Sequence, residues 1–311
     1  MKISVIVPIY NSAEYLDRCL NSLHIQEGTE YEFICVNDGS TDSSEEIIRS
    51  YSAKDSRFIS LSQQHFGASC ARNLGLSRSK GRYIVFVDSD DYILPETLDK
   101  LYSVSEKNDC DILVHGAKIF PENIKPEEWM FNAVSVRDGL INNFTVKDVF
   151  LNPGCTPFVW LHLYKKRLLD DNRIVFKESL DIGEDQSFAI ICFSYAKKVL
   201  FVSDKCYVHC IDRNSSVMNT IHNDLDSRIR NHLMMIKYTQ DCCRKNLNAS
   251  ERRALIHWAL NTMYTDLIEA HYTDYYVQLF EIVCKWRNKI LFLSKRDYTR
   301  IVSIRSCISK H

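Results

Sequence analysis

Tyr83-Ile-Val-Phe-Val87 runs straight into Asp88-Ser-Asp-Asp91. Five consecutive apolar residues, mostly β-branched or aromatic, predict a strand buried on both faces. Three carboxylates within the next four positions cannot enter a packed core, so the strand ends there, at a solvent-facing rim. Crowded carboxylates repel one another, and a divalent cation that prefers hard oxygen ligands stabilises them. A nucleoside diphosphate alongside would let such an ion bridge carboxylate to phosphate. The other reading is a strand followed by a helix cap, because acids favour helix starts and Pro95-Glu96 resembles a first helical turn. Three acids exceed what one cap uses.

Outward from that stretch, strands and helices alternate. Ile3 to Ile9 is a continuous apolar run, and a helix from Asn11-Ser12 to about Leu23 carries Leu16, Cys19, Leu20 and Leu23 at helical spacing. Tyr31 to Val36 predicts a second strand, ending in the turn-forming Asn37-Asp-Gly-Ser-Thr-Asp42. A helix to about Ser52, a short strand from Phe58 to Leu61 and a helix from Gly67 to Leu76 come next. After the fourth strand, Arg82 to Val87, come a helix from Thr97 to Ser105 and a strand from Asp111 to His115. Such alternation predicts an α/β fold with a mainly parallel sheet covered on both faces. Ligands of such sheets bind beyond the carboxyl ends of the strands. Tyr10-Asn11, Asn37-Asp38 and Asp88 to Asp91 should therefore meet on one rim.

That rim reads as a nucleotide crevice of an unusual kind. Neither GxGxxG nor GxxxxGK[ST] follows the first strand, which argues against a dinucleotide fold of the usual kind and excludes a phosphate-cradling P-loop. Phosphates would instead be neutralised by a cation and by side chains. Arg72 is one such side chain, its alternative being a surface arginine paired with a carboxylate.

The 311 residues carry 39 Lys and Arg against 40 Asp and Glu, a balance that gives no case for nucleic-acid binding. Twelve cysteines are scattered without CxxC pairs or zinc-ligand spacing, as expected for core thiols in a reducing compartment. The N-terminal apolar run is broken by Pro8 and reads as a strand, not a signal peptide, and no apolar run is long enough to span a bilayer. Phe120 to about Asn152 reads as an irregular insertion. Phe158 to Tyr164 reads as core, or as the wall of an acceptor cleft with Trp160 facing a ligand. Glu184-Asp185 opens the apolar helix Phe188 to Phe193; the two acids are either caps or a general base with its neighbour. Asp212 to Ser216 is a polar loop able to fold over phosphates. From about Asp224 the chain is helical and amphipathic, and the basic, apolar segment Lys285 to His311 reads as a packed charged helix or as one lying on an anionic membrane.

Five motifs in order, VIVPIYN (Val5–Asn11), VNDGSTD (Val36–Asp42), GASCARNLG (Gly67–Gly75), FVDSDD (Phe86–Asp91) and GEDQSF (Gly183–Phe188), resemble those of the inverting glycosyltransferase family 2 with its GT-A fold. The resemblance covers roughly Met1 to Val217. It implies a GT-A domain over residues 1–217, with a nucleotide-binding half (1–115) and an acceptor half (116–217), followed by a C-terminal helical region (218–311). Pro8, Tyr10 and Asn11 would line the base and ribose pocket, and Asp38 would hydrogen-bond the base, most often uracil. Gly67 and Arg72 would lie along the nucleotide. Asp88 would contact the ribose beside Ser89, and Asp90 would hold Mn2+ or Mg2+ against the diphosphate. Arg213 and Ser215 would belong to a phosphate loop. Asp185 would be the base and Glu184 would support the acceptor site together with Trp160. His209 falls where some relatives supply a second metal ligand; a core histidine is the alternative. Asn37 departs from the Asp found in many relatives.

The implied activity is transfer of a sugar from a UDP-sugar to a saccharide or lipid-linked saccharide hydroxyl, in surface polysaccharide synthesis at the cytoplasmic side of the membrane. The C-terminal helices would touch that membrane or form a homo-oligomer. A non-catalytic nucleotide-sugar-binding or scaffolding subunit is the competing reading, but such proteins usually lose the acids that are all present here. A nucleotidyltransferase would need a glycine- and arginine-rich loop where Pro8-Ile-Tyr-Asn11 stands.

Overall fold

The computed structural model describes residues 1–211, 225–245, 247–270, 277–279 and 281–282. Arg213 and Ser215, and the basic segment from Lys285, lie outside the described residues.

Four strands form the parallel half of a nine-stranded sheet: β1 (Ile3–Ile9), β2 (Tyr31–Asp38), β3 (Phe58–Gln63) and β4 (Tyr83–Phe86). Their order is β3-β2-β1-β4, all parallel, with Ile6 opposite both Ile34 and Phe86. The crossovers are α1 (Ala13–His24), α2 (Ser44–Lys54) and α3 (Ala68–Arg78). Beyond β4 come β5 (Tyr92–Ile93), α4 (Thr97–Asn108), β6 (Ile112–Phe120), α5 (Glu128–Val134), β7 (Gly139–Asn142) and α6 (Val146–Val149). The 3-10 turn Val159–Leu161 leads into β8 (His162–Lys165), α7 (Lys166–Asn172), α8 (Glu184–Tyr195) and β9 (Lys198–Cys210). Two long helices follow, α9 (Leu225–Cys242) and α10 (Ala249–Ala270).

The second half of the sheet is mixed. β8 inserts antiparallel between β4 and β6, β6 pairs parallel with β9, and β5 and β7 pair antiparallel with β9. The segment expected to be irregular, 120–152, thus contains a strand and two short helices. β7 is joined to β9, and α6 starts at Thr145 with a reciprocal cap to Asp148. β9 runs as one strand from Lys198 to Cys210. Pro95-Glu96 is not a first helical turn: Glu96 is left-handed (φ 61°) and α4 begins after it.

Strand periodicity sorts the core onto the two faces. On β4, Ile84 and Phe86 join one apolar cluster and Tyr83 and Val85 the other; β2 divides the same way, Ile34 and Val36 against Phe33 and Cys35. The first cluster also takes in Phe188 to Phe193 of α8, Ile229, Leu233, Met235 and Ile236 of α9, and Leu255, Ile256, Trp258, Ala259 and Leu260 of α10. The C-terminal helices therefore complete the core over one face. No described helix is long and apolar enough to cross a membrane.

Candidate active site

The carboxyl ends of β1, β2 and β4 do converge. Ser12, just past β1, meets Ser89 at 2.6 Å between hydroxyls, and Ser12 N donates to Ser44 Oγ at 3.0 Å. Asn11 adopts a left-handed conformation (φ 46°), which asparagine tolerates. Its Oδ1 accepts from Thr41 N at 2.8 Å, and its N donates to Ser40 Oγ at 3.0 Å. Asn37 Nδ2 donates to Glu45 at 2.6 Å while its Oδ1 accepts from Ser40 N. An Asp at position 37 could not make the first of these contacts, so asparagine suits this turn.

The acid turn after β4 is fixed from three sides. Asp91 is fully buried and is taken up by Tyr207 Oη (2.8 Å), His209 Nδ1 (2.9 Å) and Cys210 N (2.8 Å). Burial pushes the Asp91 carboxyl up, against the pull of His209. The Tyr207 hydroxyl also accepts from Asp88 N at 3.1 Å, so one side chain spans the turn. Arg18 donates to the Asp90 carbonyl oxygen at 2.8 Å. Asp91 is thus a structural acid.

Asp88 leads to the second acid pair. Arg72, on α3, donates through Nη2 to Asp88 Oδ1 (3.1 Å) and through Nη1 to Asp185 Oδ1 (2.8 Å) and Glu184 Oε1 (3.3 Å). Its side chain is 5% exposed, against 26%, 21% and 19% for Asp88, Glu184 and Asp185. Both participating helices start at a glycine in a left-handed or extended positive-φ conformation, Gly67 (φ 91°) before α3 and Gly183 (φ 78°) before α8. Those starts bring Arg72 and the two acids to one point. Burial pushes the Asp185 carboxyl up to about 8, against the pull of Arg72, with Glu184 and Asp88 adding like-charge repulsion. One guanidinium cannot neutralise three carboxylates. A carboxyl held near neutrality is suited to proton transfer.

Trp160 corrects one expectation, while Arg72 and Asp38 are engaged by protein groups. Arg72 is enclosed by carboxylates, and its Nε is buried with no partner among the described residues. Asp38 is 2% exposed and takes four donors: Gln63 Nε2 (2.7 Å), Phe66 N (2.9 Å), Gly67 N (2.9 Å) and His65 Nδ1 (2.9 Å). A carboxylate offers about four lone-pair sites, and in this conformation protein donors meet them. Trp160 is 1% exposed, stacked on Tyr207 (centroids 4.5 Å) and Phe158 (4.6 Å), and is core instead of acceptor wall. It backs the aromatic side of Tyr207 and His209, the two residues that hold Asp91.

Tyr10 is 44% exposed at the rim, Pro8 lies in β1 beyond its pairing with β4, and Ser89 and Asp90 are buried in the acid turn. Among the described residues no three His, Cys, Asp or Glu side chains form a metal cage. His209 spends Nδ1 on Asp91 and has only Nε2 for any ion. The sequence reading passed over Tyr207, Arg18 and His65. Tyr207 lies two residues from His209 on a strand, but nothing in its own spacing tells a core tyrosine from one that bridges a turn.

Comparison with known proteins gives a consistent picture. The family model described as Glycosyl transferase family 2 matches residues 4–172. The poly(ribitol-phosphate) beta-glucosyltransferase of Bacillus spizizenii is 34% identical over 227 residues, 71% of this chain and 34% of that one. Glycosyltransferase GlyG of Streptococcus pneumoniae is 30% identical over 70% of this chain and 73% of its own length. The chain spans about a third of the length of the first relatives it matches, 34% and 31%. Among solved structures, S. aureus TarS 1-349 in complex with UDP-GlcNAc superposes with a TM-score of 0.76 at 24% identity, covering 100% of this chain and 89% of that one. At that identity the likeness is one of fold.

Proposed function

The chain belongs to glycosyl transferase family 2, with the GT-A fold and C-terminal helices expected from its motifs, and from that premise we propose that it transfers a sugar from a UDP-sugar to a saccharide hydroxyl with inversion. The observation that carries this reading is the Arg72 bridge. It joins the acid turn, where a diphosphate would lie, to a carboxyl held near neutrality at the start of α8.

Asp185 accepts the acceptor hydroxyl's proton as that oxygen attacks the anomeric carbon. The bond from that carbon to the diphosphate breaks on the opposite side, so an α-linked donor gives a β-linked product. No covalent bond to the protein forms. Val159, in the turn before β8, supplies a backbone hydrogen bond to Asp185, and Arg72 fixes its orientation. Glu184 keeps a second negative charge beside it and favours its protonated form.

The donor set fits a Mg2+- or Mn2+-type ion that relies on substrate. Such ions are held by one or two carboxylates plus phosphate oxygens and water, not by an all-protein cage. Asp90 would be the carboxylate ligand. His209 Nε2 would be a second ligand, with Nδ1 held by Asp91 in the manner of other metal-bound histidines. When bound, the ion would act as a Lewis acid on the leaving diphosphate.

The names of the relatives, which act on poly(ribitol-phosphate), favour a cell-surface polymer or its lipid-linked precursor as acceptor. On this reading the protein works at the cytoplasmic face of the membrane. Residues 1–217 carry the site, and residues 218–311 support it and contact the membrane or a second copy. The test is a panel of UDP-sugars with Mn2+ or chelator. Metal-dependent release of UDP from one sugar, lost in Asp90→Asn and Asp185→Asn, is expected. Failure of every UDP-sugar to be hydrolysed, with UDP giving no thermal shift in Mn2+, would overturn the assignment.

A further inference from the structure

Exposed aromatics scattered singly need no explanation, but one of them is held in place from two sides. Trp129, in the first turn of α5, is 48% exposed. Its Nε1 donates to Glu127 Oε2 at 2.6 Å, and its ring leans on Phe158, with centroids 6.0 Å apart and planes at 33°. Phe158 in turn stacks on Trp160 (4.6 Å) and lies beside His209 (6.0 Å). The next residue, Val159, gives the backbone hydrogen bond to Asp185. One short segment, 158–160, therefore connects the exposed indole to the proposed base and to the histidine proposed as second metal ligand. Trp160 is the buried middle of this aromatic row, and Trp129 is the end that faces solvent.

We propose that Trp129 is the platform for a pyranose ring of the acceptor, the unit next to the one whose hydroxyl is attacked. The inference rests on the proposed function and names the acceptor's chemical class. One face of a pyranose is lined with C–H bonds whose hydrogens carry a slight positive charge, and the face of an indole is negative. The two stack while the sugar's hydroxyls stay in water. Because Glu127 and Phe158 already fix the indole, little of its freedom is left to lose on binding. Two ring contacts separate Trp129 from His209, too far for the reacting hydroxyl and suited to the neighbouring unit. The charges around it select further. Glu127 and Glu128 precede the indole directly, and the nearest cation in sequence is Lys125. Those acids repel a phosphate. The subsite therefore fits an uncharged glycan of at least two units. It does not fit the poly(ribitol-phosphate) named for the relatives, whose backbone is open-chain and anionic.

The experiment takes the full chain with the UDP-sugar it hydrolyses and Mn2+, and reads the extra UDP release that acceptors cause. The probes are methyl glycosides of glucose, galactose and N-acetylglucosamine, methyl glycosides of the corresponding disaccharides, and ribitol 5-phosphate. In wild type the best disaccharide should exceed the best monosaccharide by about tenfold in kcat/KM, the upper end of what one aromatic contact supplies. Trp129→Ala should bring that ratio to about one, with the loss falling on KM, as for binding made equally in ground and transition states. Trp129→Phe keeps a ring against Phe158 and should recover part of the gain, which separates stacking from damage to α5. Three outcomes overturn the subsite and leave the proposed function standing: a ratio that survives Trp129→Ala, ribitol 5-phosphate outrunning every glycoside, or no glycoside stimulating release. A chain that hydrolyses no UDP-sugar overturns the proposed function and this inference with it.

Discussion

Asp185, the carboxyl proposed as base, is held 2.8 Å from Arg72 Nη1 and yet titrates above the usual carboxylate range, because burial outweighs the guanidinium's pull. Asp185→Asn keeps the shape and removes the base. Transfer should fall by about 100- to 10,000-fold, the usual contribution of a positioned acid or base. UDP affinity, measured by calorimetry, should change by less than about threefold, since Asp185 does not line the base pocket.

The same shift makes a stability statement. A carboxyl whose folded pKa is raised to about 8 stabilises the fold fully below its unfolded value near 4 and loses that contribution as pH rises through about 8. Asp185→Asn imitates the protonated form at every pH. Urea denaturation should show the variant gaining on wild type between about pH 4 and 8, with the difference smallest at the acid end.

Glu184 adds like-charge repulsion to Asp185. Removing that charge in Glu184→Gln should move the acid limb of the rate–pH profile to lower pH. A profile that stays in place would mean that the limb belongs to another group.

Arg72 is the one cation in contact with Asp88, Glu184 and Asp185 among the described residues. Arg72→Met leaves their charges partly buried and facing one another. The cost should be about 3–5 kcal/mol, as for other buried pairs stripped of one partner. Arg72→Lys should recover only part of it, because a point charge cannot reach both sides of the bridge. Chemical denaturation measures both.

Tyr207→Phe removes the hydroxyl that joins Asp88 N to Asp91 Oδ2. Leaving those groups unsatisfied should cost about 1–3 kcal/mol. The acid turn should loosen with it, so the Mn2+ concentration needed for half-maximal UDP release should rise. An unchanged metal requirement would separate Tyr207 from the turn's function.

The parallel half of the sheet was legible because its signals are local. Continuous apolar runs at β1, β2 and β4, each ending in polar turn residues, are enough to place three rims together. The antiparallel insertion of β8 between β4 and β6 was not legible, because pairing between distant strands leaves no periodic mark on either. Trp160 illustrates the same limit. An aromatic residue beside polar ones reads equally as wall or core until the rings it stacks on are known. Asp91 was grouped with the ion-binding acids because sequence shows charge but not the three donors that consume it.

The glycine at the start of α8 has an effect beyond its conformation. A β-carbon on Gly183 would come within 2.3 Å of Met235 Sδ on α9, and Ser187 and Thr239 share a hydroxyl contact of 2.8 Å one turn later. The helix that carries Asp185 is therefore seated on a segment that lies outside every recognisable motif. Two family members with identical signatures could differ in turnover solely through the residue that faces this glycine. A substitution at Met235 would thus reach the start of α8 while every motif residue stays untouched.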